Sequence, residues 1–153
     1  MGQRRYVKPS LGTRVFNGVL TVLARLGISV YGSQMLAVRG RTTGEVRVVP
    51  VNPLTFQGAR YLVAPRGETQ WVRNLRVARS GELRLGSRRE AFRAEELADA
   101  DKPPVLRAYL VKWAFEVKTF FGGVGANATD AELLAIAPSH PVFRIEPLAT
   151  LPP

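Results

Sequence analysis

Between residues 34 and 65 the chain alternates short β-branched runs with glycine turns, and that rhythm leaves few folds open. "QMLAVRG" (34–40) reads as a strand, "RTTGE" (41–45) as a turn with Gly44 free to take positive φ, and "VRVVPVNPL" (46–54) as a second strand ending at Pro53. "FQGAR" (56–60) is another glycine turn and "RYLVAP" (60–65) a third strand. Turns this short join antiparallel hairpins. "GELRLGSRREAFRA" (81–94) adds two strands joined at Gly86-Ser87, and "HPVFRIEP" (140–147) adds a last one.

Helices interrupt this pattern. One begins near Thr69 and places Trp71, Asn74, Leu75 and Ala78 on one face, with Arg73 and Arg76 to the side as surface charge. A longer one spans 101–121: Pro103 and Pro104 suit its first turn, and Leu106, Tyr109, Leu110, Trp113, Val117, Phe120 and Phe121 recur at three or four. A third opens on "TDAE" (129–132), which has the capping-box form. The sum is an α+β chain, an antiparallel β-barrel of about six strands with flanking helices. Residues 31–153 make up this barrel domain; residues 1–30 form a basic tail and an amphipathic helix over 15–26. That helix either packs on the core or lies in an anionic membrane interface. Its apolar stretch is too short and too interrupted to span a bilayer.

Charge narrows the partners. The net charge is +10, and residues 1–93 hold 17 Lys/Arg against 4 Asp/Glu. Arginine accounts for 18 of the 22 basic residues, and its planar fork suits phosphate and carboxylate. The expected partner is therefore anionic: nucleic acid, a membrane surface or a phosphorylated small molecule. Aromatics are only 8% and gather in the 106–121 helix, which argues against a stacking platform for nucleic acid. The absence of cysteine excludes thiolate chemistry and fits a reducing cytoplasm. The single histidine, His140, cannot anchor a metal cluster and reads as structural. Acids in the first 93 positions stand only at 45, 68, 82 and 90, in turn-like contexts. Any catalysis would therefore be carried by a cofactor.

Arg41, Arg47 and Arg66 sit at or beside turns of consecutive strands. Gly67 follows, feeding a helix N-terminus, a natural anion site. An inward Asn74 must be hydrogen-bonded, either tying the helix to a neighbouring strand or meeting a ligand. The same segment also reads as an amphipathic helix with a solvated arginine face.

"GRTTGEVRVVPV" (40–51), "YLVAPRG" (61–67), "WVRNLR" (71–76) and "PVFRIEP" (141–147), taken in order, resemble the deazaflavin-dependent nitroreductase family of actinobacteria. The resemblance implies a split β-barrel like that of flavin-mononucleotide-binding proteins, and reduced deazaflavin coenzyme F-420 as cofactor. It implies hydride transfer to activated alkenes, quinones or coumarin-type lactones of the aflatoxin kind; the alternative is a non-catalytic carrier of a flavin-like, heme or lipid ligand. By the same resemblance Arg41, Thr42 and Thr43 approach the coenzyme's phosphate, with Arg47 and Arg66 against phosphate and polyglutamate tail. Val49 and Pro50 lie along the ring, with Ala64 and Pro65 beside it, and Gly67, Trp71 and Asn74 complete the pocket wall. Thr42 stands where the family's turn often has Lys, and Pro65 where a nitroreductase has Ser. Residues 105–121 also lack that nitroreductase's tyrosine-rich character, which favours a flat apolar substrate over nitroimidazoles. The proton comes from solvent or from Tyr109. The expected protein is a monomer or weak dimer in the cytoplasm, at the inner face of the cell membrane if residues 1–30 bind it.

Overall fold

The chain enters strand β1 (Gln34–Arg39), turns into β2 (Val46–Val51), and continues through β3 (Leu54–Phe56) and β4 (Ala59–Val63). Helix α1 (Gln70–Ala78), β5 (Ser80–Leu85), β6 (Arg88–Glu96), helix α2 (Pro103–Val117), helix α3 (Asp130–Ile136) and β7 (Val142–Pro147) follow. The computed structural model describes residues 33–117, 121 and 124–148, with 114–117 as backbone only. The tail and helix expected over 1–30, and the membrane contact assigned to them, lie outside the described residues. Among the described residues no helix is long and apolar enough to cross a membrane.

All seven strands join one antiparallel sheet in the order β2-β1-β5-β6-β7-β4-β3. The sequence neighbours β2 and β3 thus become its two edges, and the curled sheet is a split barrel open between them. The α+β split-barrel expectation holds, with seven strands among the described residues in place of about six. The run 46–54 is two strands because Pro53 has no N–H for a ladder and holds its predecessor extended. The ladder ends at Val51 and resumes at Leu54. Gln57 and Gly58 then close a two-residue hairpin, both with positive φ (50° and 77°), as the twist of a tight hairpin requires. Pro50 survives inside β2 because β2 is an edge strand.

Side chains alternate across the sheet, so register assigns every residue to one of two cores. Leu36, Val38, Leu62, Leu83, Phe92, Phe143 and Ile145 face inward, and Val72 and Leu75 of α1 pack onto them. On the opposite face Val63 and Val142 meet Leu106, Tyr109, Leu110 and Trp113 of α2, with Leu133 of α3. Helix α2 is kinked where Trp113 leaves helical geometry (φ −129°, ψ 16°). The capping box of α3 is complete: Thr129 Oγ1 accepts from Glu132 N at 3.2 Å and Glu132 Oε1 accepts from Thr129 N at 3.1 Å. His140 is buried and stacks on Phe121, ring centres 4.0 Å apart.

One glycine is fixed by this packing. Gly81 of β5 pairs with Phe92 of β6, and a Cβ there would lie 2.8 Å from Phe92 Cζ and 3.0 Å from the Ala37 carbonyl oxygen. The Gly81→Ala variant should lose about 1–3 kcal/mol of stability from this overpacking, read as a lower denaturation midpoint at unchanged slope. A midpoint equal to wild type would show that the β1–β5–β6 packing is looser than described.

Candidate functional site

The β1–β2 turn is closed from within. Gly40 N donates to Glu45 O at 2.7 Å, Gly44 N to Gly40 O at 2.9 Å, and Arg39 Nη1 to Gly44 O at 3.1 Å. Gly44 takes φ 75°, and Thr43 Oγ1 accepts from Glu45 N at 3.2 Å. Thr42 and Thr43 are exposed on this turn, and so is Arg41.

The second half of the site is the approach to α1. Ala64 is buried and its N–H donates to Pro141 O at 2.9 Å. Pro65 and Arg66 carry the chain to Gly67, buried with φ 85°, whose carbonyl accepts from Thr69 N at 2.8 Å. Thr69 is the N-cap of α1, yet its hydroxyl makes no capping bond; Oγ1 is buried without a hydrogen-bond partner. No acid stands in the first turn. The positive end of α1 thus has neither a hydroxyl cap nor a first-turn acid, beside Arg66 and Gly67, which suits an anionic group.

Asn74 joins the two halves. It is 4% exposed, and its Oδ1 accepts from Arg41 N at 3.1 Å and Arg41 Nη1 at 2.8 Å. The same Nη1 donates to Gln70 Oε1 at 2.9 Å. Asn74 thus ties the helix to the turn. Trp71 is half-buried against the inward core, its ring 6.0 Å from that of Phe143.

Register sorts the remaining candidates. Val49 pairs with Leu36 and Arg47 with Val38, so both sit on the inward face shared with α1. Pro50 pairs with Met35 and points to the other face, so Val49 and Pro50 cannot both flank one ring with their side chains. Arg47 is 62% exposed and 3.7 Å from the Glu45 carboxylate, a weak surface pair. Tyr109 is 2% exposed in the core of the opposite face, against Trp113 and Phe121, and is not brought to Arg41 or Asn74. Among the described residues no group of acids and histidine could hold a metal. A separate cleft of about 830 Å³ opens beyond the C-terminal end of α1, lined by Leu75, Arg76, Arg79, Arg93 and Phe143. None of the residues assigned from the sequence line it.

Arg76 is no ordinary surface charge. Its Nε and Nη2 reach both oxygens of Glu96 at 2.7 Å, and Nη1 reaches Glu68 at 2.8 Å. The Glu96 hydrogen bonds hold the guanidinium pKa above its usual value, against the opposing effect of partial burial. Local pattern gives no sign of this tie, because the partners lie 8 and 20 residues away.

The fold therefore sets a cationic turn, a helix start without a hydroxyl cap and an apolar inward wall side by side in a split barrel. A family model for F-420H(2)-dependent quinone reductases matches residues 16–119, well over half of the chain. The protein belongs to this family; it is an oxidoreductase whose cofactor is reduced deazaflavin coenzyme F-420. Membership sets aside the non-catalytic carrier. Solved structures share the fold at low identity. An F-420-H2 dependent reductase has 16% identity and a TM-score of 0.51, over 75% of this chain and 94% of that one. A domain-swapped dimer has 15% identity and a TM-score of 0.54, over 90% of this chain and 100% of that one. General stress protein 26 of Bacillus anthracis has 10% identity and a TM-score of 0.51, over 84% and 85%. No curated protein matches the chain.

Replacing Arg76 with Ala should cost about 1–3 kcal/mol, because it strips charge-assisted hydrogen bonds from Glu68 and Glu96. The check is thermal unfolding: a drop in midpoint that added salt does not abolish supports the tie between α1 and β6. An unchanged midpoint contradicts it.

Proposed function

We propose that this reductase passes a hydride to flat, apolar acceptors, namely quinones, activated alkenes and coumarin-type lactones, on the inward face of its split barrel. The observation that carries the reading is a juxtaposition. Arg41 and Arg47 stand at one end of a wall formed by Val49, Val51 and Trp71, and the uncapped start of α1 stands beside Arg66. A long cofactor with an anionic tail and a flat ring needs such a graded surface.

The reduced coenzyme supplies the hydride when bound. Arg41, Arg47 and Arg66 hold its phosphate and carboxylates by charge-assisted bonds, with Thr42, Thr43 and the N–H groups after Gly67 adding donors. Val49, Val51 and Trp71 form the apolar wall that orients the ring and excludes water, with Ala64 buried beneath it; Pro50 and Pro65 contribute backbone shape. Stacking an acceptor over that wall brings the reacting atoms together, where orientation supplies much of the rate. Charge developing on the accepting oxygen is stabilised by the arginine field and discharged by a proton from solvent. Tyr109 takes no part, since its ring is sealed in the opposite core.

The test is a fluorescence titration with the oxidised coenzyme, followed by steady-state oxidation of the reduced form by a naphthoquinone and by a coumarin-type lactone. Micromolar or tighter binding and turnover with the quinone are expected. Arg47→Ala should weaken coenzyme binding by no more than about tenfold, because its charge is exposed and already shared with Glu45. Trp71→Ala should raise KM for the acceptor. Binding of flavin mononucleotide in place of the deazaflavin, with no turnover, would refute the proposal.

A further inference from the structure

Arg41 is held in an unusual way for so basic a chain. Several arginines of the fold meet acids (Arg60 meets Glu90, Arg76 meets Glu68 and Glu96, Arg84 meets Glu82, and Arg107 meets Asp130), while Arg39 donates to the Gly44 carbonyl. Arg41 instead donates to two neutral amide oxygens, Asn74 Oδ1 at 2.8 Å and Gln70 Oε1 at 2.9 Å. A carboxylate in either place would hold the side chain as well and would also cancel its charge. An amide oxygen fixes the guanidinium and leaves the full positive charge available.

The cost of this arrangement points the same way. Asn74 is buried on the apolar side of α1, a position where Leu would add core area. Its Oδ1 also accepts from the Arg41 backbone N–H at 3.1 Å, so one oxygen sets both the turn and the side chain that leaves it. Gln70 stands one helical turn earlier on the same face and is exposed, which places the second acceptor at the mouth of the site.

We infer that Asn74 and Gln70 form a neutral clamp that positions Arg41 for the anionic tail of the coenzyme, Asn74 acting through Arg41. This rests on the reading that the coenzyme's phosphate and carboxylates meet Arg41. The clamp is a recognition device for the tail and leaves the ring untouched. It therefore separates ligands that carry the tail from those that carry only the deazaflavin ring and its ribityl chain.

Two ligands decide it by fluorescence titration: the complete oxidised coenzyme and its phosphate-free deazaflavin–ribityl fragment. Asn74→Ala should weaken the complete coenzyme about tenfold and the fragment by less than about twofold, the range for a lost charge-assisted bond that acts on one ligand only. In an Arg41→Ala background the same change should matter less than about twofold, because coupled residues are non-additive. Asn74→Asp restores the two hydrogen bonds, so its thermal midpoint should return to at least the wild-type value while its coenzyme affinity stays low. Rescue of both would mark a purely structural Asn and overturn the clamp. Gln70→Ala, at an exposed position that cannot unfold the chain, should give a smaller loss restricted to the complete coenzyme. Equal losses for both ligands in Asn74→Ala, or a full effect of it without Arg41, would overturn the clamp alone. A wild-type protein that binds the fragment and the coenzyme with the same affinity would overturn the tail assignment and the clamp with it.

Discussion

Helix α1 is pinned between the β1–β2 turn and strand β6, and the arrangement of the candidate site depends on it. Val72 and Leu75 bury themselves on the inward core, which fixes the distance of the helix from the sheet. Burial alone would leave it free to slide or roll, since apolar packing is non-directional. Two polar ties remove that freedom. On one flank Asn74 and Gln70 hold Arg41 and the β1–β2 turn. On the other Arg76 grips Glu96 of β6 and Glu68 ahead of the helix. The start of α1 and the cationic β1–β2 turn are thereby held side by side.

This arrangement explains how a chain without a metal cluster among its described residues, and with few acids in its first half, can be a reductase. Redox chemistry belongs to the cofactor, and the protein's share is binding and orientation. On the proposed reading, arginine dominates because the tail to be held is anionic. On the proposed reading, the aliphatic and aromatic inward wall serves a flat, apolar ring and acceptor. The opposite core, with α2 and α3, has the separate task of closing the other side of the sheet.

Much of this was legible in the sequence where the signal was local. Gly44, Gly58 and Gly67 marked turns that do take positive φ, and Thr129 with Glu132 marked a helix start. What local pattern could not supply was parity and distance. Val49 and Pro50 read as one patch, but a strand sends neighbours to opposite faces. The extra strand followed from a proline whose effect on pairing depends on which strand lies next to it. Tyr109 fell on the apolar face of a helix, and helical spacing cannot say which side of the sheet that helix covers. Asn74 and Arg76 each find their partners through the fold, across 33 and 20 residues, so their roles emerge only once the sheet has closed.

The most direct measurement is a nitrogen-resolved NMR titration of the arginine side chains and backbone amides with the oxidised coenzyme. The predicted result is that the largest shifts fall on Arg41 Nε, on the amides of residues 40–45 and on those of 67–70, with Arg79 and Arg93 little changed. Largest shifts at Arg79 and Arg93, in the cleft beyond the far end of α1, would contradict the account by moving the coenzyme to the wrong end of the helix.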